Sequence, residues 1–172
     1  MISKALPPPC VLPPNKYDLA ICLEMAEHVS EGQSAHIVDI LTQAADVVYF
    51  SGATPFSGGV HHVNERWQTY WINKFKKRGF KVIDCLRPRL WYEKQCCYFY
   101  AQESFVFVRE YKLSNYEKLR DYVQEPIYDC VHPELFVNQV VKPSHDWEYL
   151  ISIQKRLLRS FWAKFMNRAR GQ

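Results

Sequence analysis

Residues 17–31 read YDLAICLEMAEHVSE, and this stretch decides how the rest of the chain is interpreted. The run DLAICL, residues 18–23, is apolar, has the length of a strand and shows no alternation, which is typical of a strand covered on both faces. It ends at an acidic turn that carries Glu24, Glu27 and His28. Because ligands of an open α/β sheet bind beyond the carboxyl ends of its strands, this turn is a candidate binding wall.

Alternating strand-like and helical patterns follow this turn. SAHIVDILTQAA, residues 34–45, has apolar residues at helical spacing, and DVVYFSGA, residues 46–53, predicts a second strand covered on both faces. After a glycine loop, helical periodicity begins at Asn64, a suitable N-cap, and ends at Gly79. FKVIDCL, residues 80–86, predicts a third strand. The alternation of strands and helices is typical of an α/β sheet.

The next segments are rich in residues that favour strands. After a turn at Arg87 and Pro88, the runs CCYFYA (96–101) and ESFVFVRE (103–110) predict one long bent strand or a hairpin. The second run can form an antiparallel edge strand on the sheet.

Four segments are predicted. Residues 1–16 hold five of the ten prolines and form an arm, and residues 17–110 form the α/β body, a partial doubly wound sheet. An ordered loop and a short helix occupy residues 111–145. In residues 146–172, apolar side chains recur every three or four positions opposite basic ones, which indicates a long amphipathic helix. This helix either docks on the body or a second copy, which is the expected arrangement, or binds a membrane surface or acidic partner.

The charge and the cysteines limit the classes of partner. The net charge is +4, and residues 146–172, with six basic and two acidic residues, account for all of it, so we expect no nucleic-acid partner. Six cysteines without CxxC spacing indicate reduced, buried thiols. A zinc site combining Cys96 or Cys97 with His61 or His62 lacks a chelating spacing, and no metal is predicted. Without a leader pattern or a membrane-length apolar run, we expect a cytoplasmic location.

Four segments together resemble a known enzyme family. The pattern D-L-x-x-x-L-E-x-x-E-H, residues 18–28, resembles the fourth strand and following turn of class I S-adenosylmethionine-dependent methyltransferases. Residues 50–71 resemble the fifth strand and the Gly-Gly, His, Val-Asn-Glu, Trp, Tyr-Trp segment of one bacterial subgroup. Residues 85–107 resemble its Arg, Trp and Tyr-x-Gln-Asn signature, and residues 131–136 resemble its Val-His-Pro. The resemblance implies the carboxyl half of a Rossmann-like methyltransferase fold.

The chain also departs from the pattern of this family. The signature of residues 85–107 is carried by Arg87, Trp91, Tyr100 and Gln102. The family's asparagine after Gln102 is Glu103 in this chain, the arginine before it is Ala101, and an additional His61 precedes His62. These departures concern the side of the site that would hold the methyl acceptor.

The resemblance implies a role for each candidate residue, and each role has a structural alternative. The pocket for S-adenosylmethionine would be lined by Leu23, Glu24, Glu27 and His28. The catalytic residues would be His62 and Glu65. A small-molecule or glycan acceptor would contact Asn64, Trp67 and Tyr70. Asn64 is equally a helix cap, the aromatic residues are equally core residues, and Glu24 and Glu27 suit a helix N-terminus.

The cofactor's glycine loop has no counterpart before the DLAICL strand. The first glycine of the chain is Gly32, and two strand-helix-strand units of about thirty residues each do not fit into sixteen residues. We therefore expect this chain to supply one wall of the pocket and to need a complementing half for cofactor binding. The alternative is a non-catalytic interaction or remnant module that completes its sheet by self-association or with another protein.

Overall fold

The computed structural model describes residues 17–123, 128–141 and 151. These residues belong to two compact units, one that extends to His132 and one that begins at Pro133. The candidate residues all lie in the first unit.

Four strands form one mixed sheet in the first unit. The strands are β1 (Ala20–Cys22), β2 (Val47–Phe50), β3 (Phe80–Ile83) and β4 (Phe105–Arg109). Their order is β1-β2-β4-β3, in which β1 and β2 are parallel and β4 is antiparallel to both β2 and β3. The fold is therefore a mixed α/β fold.

Short helices connect and flank the strands. The first unit contains α1 (Ser34–Ala44), α2 (Gln68–Lys76), α3 (Arg87–Leu90), α4 (Tyr98–Glu103) and α5 (Glu117–Arg120), with 3-10 turns at Ala26–His28, Glu31–Gln33 and Glu110–Asn115. The second unit contains α6 (Pro133–Phe136), followed by a π-helical turn at Val137–Val141. In the part of the chain that the structure describes, no helix is long and apolar enough to cross a membrane.

Three phenylalanine rings join α2 to the centre of the sheet. Phe75 of α2 stacks on Phe107 of β4, with centroids 3.9 Å apart and an interplanar angle of 11°. Phe50 of β2 meets Phe75 edge-on at 5.4 Å. All three side chains are fully buried, and such aromatic contacts add to the free energy of burial. This packing fixes α2, and therefore the loop that precedes it.

The strongest local patterns of the sequence are confirmed. The helix predicted over residues 34–45 is α1, and the apolar residues Ile37, Val38, Leu41 and Ala44 on one side of it are buried. The second and third strands are β2 and β3. Gly79, with a φ of 74°, accepts the left-handed conformation that follows α2, and its amide donates to Lys76 O at 3.0 Å.

The expectation that the first strand is covered on both faces is wrong. Among the described residues β1 pairs only with β2, so it is an edge strand. Leu19 and Ile21 are exposed, and Ile21 keeps 60% of its surface. An apolar run of this length cannot by itself show whether a second layer of the protein covers its outer face.

Three further expectations are corrected. CCYFYA is not a strand: its last four residues begin α4, and the burial of Ala101 and Gln102 in this helix outweighs the β propensity of the aromatic residues. The second β-rich run is antiparallel, but as β4 it lies between β2 and β3 and not at the edge. Asn64 is not a helix cap, since α2 begins four residues later at Gln68.

Two predicted segments lie outside the described residues. These are the proline arm, residues 1–16, and nearly all of the amphipathic helix at 146–172, of which only Ile151 is described. Of the segment predicted as an ordered loop and a short helix, the structure describes residues 111–123 and 128–141, which contain short helical turns.

Candidate binding site at the strand ends

The loops that follow β1 and β2 lie side by side at the carboxyl ends of these parallel strands. Ser51 N donates to Cys22 O at 3.0 Å, which extends the pairing beyond the strands. The carbonyl oxygen of Glu27 accepts two amides of the other loop, Val63 N at 2.9 Å and Asn64 N at 3.0 Å. Backbone hydrogen bonds therefore determine how side chains of the two loops face each other.

Glu24 begins the first loop in a strained conformation. Its φ is 50°, in the left-handed region that side-chain-bearing residues rarely adopt. Ser51 compensates, because its hydroxyl accepts from Glu24 N at 3.1 Å and donates to Glu24 Oε1 at 2.7 Å. The strained turn directs the Glu24 carboxyl group toward the interior of the site.

Glu27 is buried with one oxygen unpaired. Its side chain is 1% exposed, and its Oε2 lies 3.5 Å from Ala53 N. No hydrogen-bond donor among the described residues reaches its Oε1. The nearest polar atoms are His28 Nε2 at 3.8 Å and His62 Nε2 at 3.9 Å. A buried carboxylate oxygen without a donor is unfavourable unless positive charge is close.

His62 is oriented by Glu65. Its Nδ1 lies 3.0 Å from Glu65 Oε1, and the Glu65 carboxylate also accepts from Phe56 N at 2.9 Å and Gly58 N at 3.1 Å. Because the carboxylate can only accept, Nδ1 of His62 is the donor. In the neutral imidazole Nε2 then carries a lone pair, and this atom lies 3.9 Å from Glu27 Oε1.

The space beside His62 Nε2 depends on a glycine. A Cβ atom at residue 59 would lie 2.4 Å from both Cε1 and Nε2 of His62. Gly59 also has a φ of 150°, which other residues rarely adopt. Only glycine lets the backbone approach the ring so closely.

Glu103 is a buried carboxyl group whose surroundings favour its protonated form. Its Oε1 accepts from Thr54 N at 2.9 Å, Thr54 Oγ1 at 3.0 Å, Ser57 Oγ at 3.2 Å and Gln102 Nε2 at 2.9 Å. Its Oε2 is buried and has no such donor in the described chain. Burial, followed by the charge of Glu24, raises the pKa of Glu103 to about 8.

Glu24 and Glu103 form a coupled acid pair. Burial, and after it the charge of Glu27, raises the pKa of Glu24, whereas hydrogen bonds from Ser51 and with Glu103 lower it. Two carboxyl groups can hydrogen-bond only when one of them keeps a proton. Glu103 is the more deeply buried of the two and is the one that stays neutral.

The signature residues near the third strand are structural. Arg87 forms a buried ion pair with Asp84, with Arg87 Nε 2.9 Å from Asp84 Oδ1, and its Nη1 donates to Tyr128 O at 2.7 Å. Gln102 Oε1 accepts from His132 N at 2.6 Å, and His132 Nε2 lies 2.9 Å from the carbonyl oxygen of Trp91. The segments that carry the resemblance around residues 87–102 and 131–132 therefore meet in space.

The other predicted site residues have mixed positions. Asn64 is 2% exposed, donates to Ser34 Oγ and accepts from Arg66 Nε, both at 2.9 Å, so its side chain is occupied structurally. Tyr70 is half-buried against Trp71, whereas Trp67 is exposed. Leu23 is half-buried at the end of β1.

Sequence reasoning did not select the polar residues that surround the acid pair. Ser51, Thr54 and Ser57 all bond to Glu24 or Glu103, yet they were not predicted as site residues. Their signal was present, because hydroxyl residues directly after a strand commonly line the site of an α/β sheet. Glu103 was noted only as a departure from a family pattern.

Comparisons with protein-family models, with curated proteins and with solved structures find no match to this chain.

Proposed function

We propose that this chain forms the acceptor-side wall of an S-adenosylmethionine-dependent methyl-transfer site and is not catalytic alone. The observation that carries the proposal is the His62–Glu65 pair, which stands at the carboxyl ends of two parallel strands beside the Glu24–His28 turn. A mixed sheet with an antiparallel strand is compatible with the carboxyl half of a Rossmann-like fold. Ligands of such folds bind at this edge.

His62 is suited to accept a proton from a methyl acceptor. With Nδ1–H held by Glu65, the lone pair of Nε2 is available as a base, and the resulting imidazolium would be stabilised by Glu65 and by Glu27. S-adenosylmethionine, held beside Glu24, Glu27 and His28, would supply the methyl group: a hydroxyl or amine acceptor would bond to the methyl carbon in exchange for the sulfur–carbon bond, and the acceptor's proton would pass to His62 Nε2. Alignment supplies most of the remaining acceleration.

The protonated Glu103 supports the resemblance at a position where the sequences differ. A neutral carboxylic acid accepts hydrogen bonds with one oxygen and donates one through its O–H. A side-chain amide has the same pattern, with one accepting oxygen and a donating NH₂ group. Since the pKa of Glu103 is raised to about 8, the residue offers this amide-like pattern at neutral pH. The replacement of the family's asparagine by Glu103 therefore keeps the hydrogen-bonding pattern.

NMR titration with S-adenosylmethionine, in the presence of a chelator, tests the assignment of the wall. We expect weak binding, at millimolar ligand, with amide shift changes concentrated at residues 23–28 and 51–65. Shift changes located elsewhere would exclude this wall as the cofactor contact. Tight, saturable binding by a single chain would instead overturn the claim that it needs a complementing half.

A second function is favoured by the exposed edge of the sheet. Leu19, directly before β1, and Ile21 of β1 expose apolar surface, and among the described residues β1 is paired on one side only. Such an edge is a template for association. The alternative is therefore a non-catalytic module whose sheet is completed by a second copy of the chain. Sedimentation velocity over a range of concentrations tests it, because a persistent monomer would exclude self-association and Ile21→Lys should abolish any dimer.

Other aspects of the proposal concern context. The proposed transferase would act in the cytoplasm, where its thiols stay reduced. Its methyl acceptor would be a small molecule or a glycan. The five described cysteines are free, and Cys22 and Cys85 are buried, but the expectation of buried thiols is wrong for Cys97, which is exposed.

A further inference from the structure

We propose that Glu27, His28 and His62 bind a divalent transition-metal ion. Each residue offers one donor atom, and the three atoms all lie within 4.8 Å of one another. Glu27 Oε1 lies between the two imidazoles, 3.8 Å from His28 Nε2 and 3.9 Å from His62 Nε2. The inference goes beyond the proposed function and does not depend on it. An ion on His62 Nε2 would occupy the lone pair that the proposed base uses, so His62 can act as the base only in the metal-free chain.

The unpaired oxygen of Glu27 is the independent sign of a ligand. The side chain is 1% exposed, and no donor of the described residues satisfies Oε1, which faces the two histidine nitrogens. His62 Nε2 also faces this oxygen, and in the neutral imidazole it offers a lone pair to a cation, because Nδ1 then carries the hydrogen that bonds to Glu65. Lone pairs that point at one place repel one another. A cation bound there attracts all of them, so the arrangement becomes electrostatically favourable.

The geometry requires a movement of the imidazoles toward Glu27 and toward each other. A metal about 2.1 Å from each donor in tetrahedral geometry needs donors about 3.4 Å apart, so the two separations from Glu27 Oε1 must shrink by about 0.5 Å, and the imidazole nitrogens, which lie within 4.8 Å of each other, by at most about 1.4 Å. His28 can supply this movement, because its side chain is 42% exposed and lies outside the buried network. The rings of His28 and His62 are edge-on, with centroids 4.9 Å apart.

The surroundings of the three residues resemble those of metal sites. Ligating histidines commonly donate their other ring nitrogen to a carboxylate, as His62 does to Glu65, and this contact fixes the tautomer and the ring orientation. The two ligand loops are joined by the hydrogen bonds of Val63 and Asn64 to Glu27 O. Two imidazoles and one carboxylate favour zinc, iron or manganese over magnesium or calcium. Three protein ligands leave a position for water or another oxygen donor.

The test is binding of Zn²⁺ to the full chain without S-adenosylmethionine, measured by isothermal titration calorimetry and by metal analysis after dialysis. We expect one ion per chain at micromolar free Zn²⁺. His28→Ala and Glu27→Gln should each weaken binding at least about tenfold, and Glu65→Gln should weaken it by about 10- to 100-fold. Mg²⁺ should not compete.

Two variants make the result specific. His61→Asn removes the neighbouring imidazole, and asparagine tolerates the φ of 64° at this position, so binding should be unchanged. Cys97→Ser removes an exposed thiol that could hold zinc adventitiously. Absence of stoichiometric binding, or binding that survives His28→Ala and Glu27→Gln, would overturn the proposal. His28→Ala is expected to fold because this side chain is largely exposed, and circular dichroism checks each variant.

Discussion

Replacement of Glu103 by glutamine should stabilise the protein, and the gain should increase with pH. Glu103→Gln keeps an accepting oxygen for Thr54, Ser57 and Gln102, and it places an NH₂ group where the protonated carboxyl now meets Glu24. At low pH the wild-type carboxyl is neutral in both folded and unfolded chains. The variant and the wild type should then have similar free energies of unfolding.

The magnitude follows from the raised pKa of Glu103. Its folded-state pKa of about 8 lies above the ordinary value of 4.5, so the folded chain binds the proton more tightly than the unfolded chain. The stabilisation that Glu103 provides is full below pH 4.5 and is lost as the pH rises toward 8. Over two pH units in this window, at about 1.4 kcal/mol per unit, the wild type should lose about 3 kcal/mol that the variant keeps.

Urea unfolding at pH 5, 6 and 7 measures this difference. The gap between Glu103→Gln and the wild type should widen by about 3 kcal/mol from pH 5 to pH 7. Glu117→Gln is the matched control, since Glu117 is exposed and its replacement should leave the pH dependence unchanged. Parallel curves for wild type and Glu103→Gln would refute the assignment of the proton to Glu103.

Two further predictions concern the surroundings of the site. Arg87→Ala leaves the Asp84 carboxylate nearly buried and unpaired, and it should cost about 3 to 5 kcal/mol in urea unfolding. The double replacement Arg87→Met with Asp84→Asn should recover much of this loss, and an equally unstable double variant would contradict the ion-pair argument. Gly59→Ala would place a Cβ 2.4 Å from His62 Nε2 and should displace the ring, which long-range ¹H–¹⁵N NMR would detect as loss of the Nδ1–H tautomer. Gly32→Ala, where no atom lies within 4 Å of the added Cβ, is its control, and an unchanged His62 signal in Gly59→Ala would contradict the steric argument.

The sequence predicts the parts of this fold that local patterns determine. The apolar spacing of α1, the runs of β2 and β3 and the glycine at 79 are local signals, and each has its predicted structure. Neither the place of β4 inside the sheet nor the helical form of residues 98–103 follows from local preference. Both depend on distant partners, such as the register of β4 with its two neighbours.

The same division applies to the candidate site. The position after a strand predicts Glu27 and His28 as site residues, and the resemblance predicts His62; the structure brings the three side chains together. The prediction that Asn64 caps a helix is wrong, because its side-chain amide donates a hydrogen bond to Ser34 Oγ of α1. The approach of Glu103 to Glu24 could not be predicted, because it requires the register of β4 beside β2.

Two buried carboxyl groups in this site each keep one oxygen without a donor, and their neighbours determine how each is neutralised. Glu103 faces the carboxyl of Glu24, so only a proton relieves the repulsion between them, and an amide serves as well. Glu27 faces two imidazole nitrogens, which can bind a metal ion that also binds the carboxylate. Glutamine should therefore be tolerated at position 103, whereas at position 27 it should weaken metal binding at least about tenfold. If Glu103→Gln and Glu27→Gln had the same effects on stability and on Zn²⁺ binding, the two carboxyl groups would share one electrostatic environment. The identity of the groups that face each of them would then not determine how its charge is neutralised.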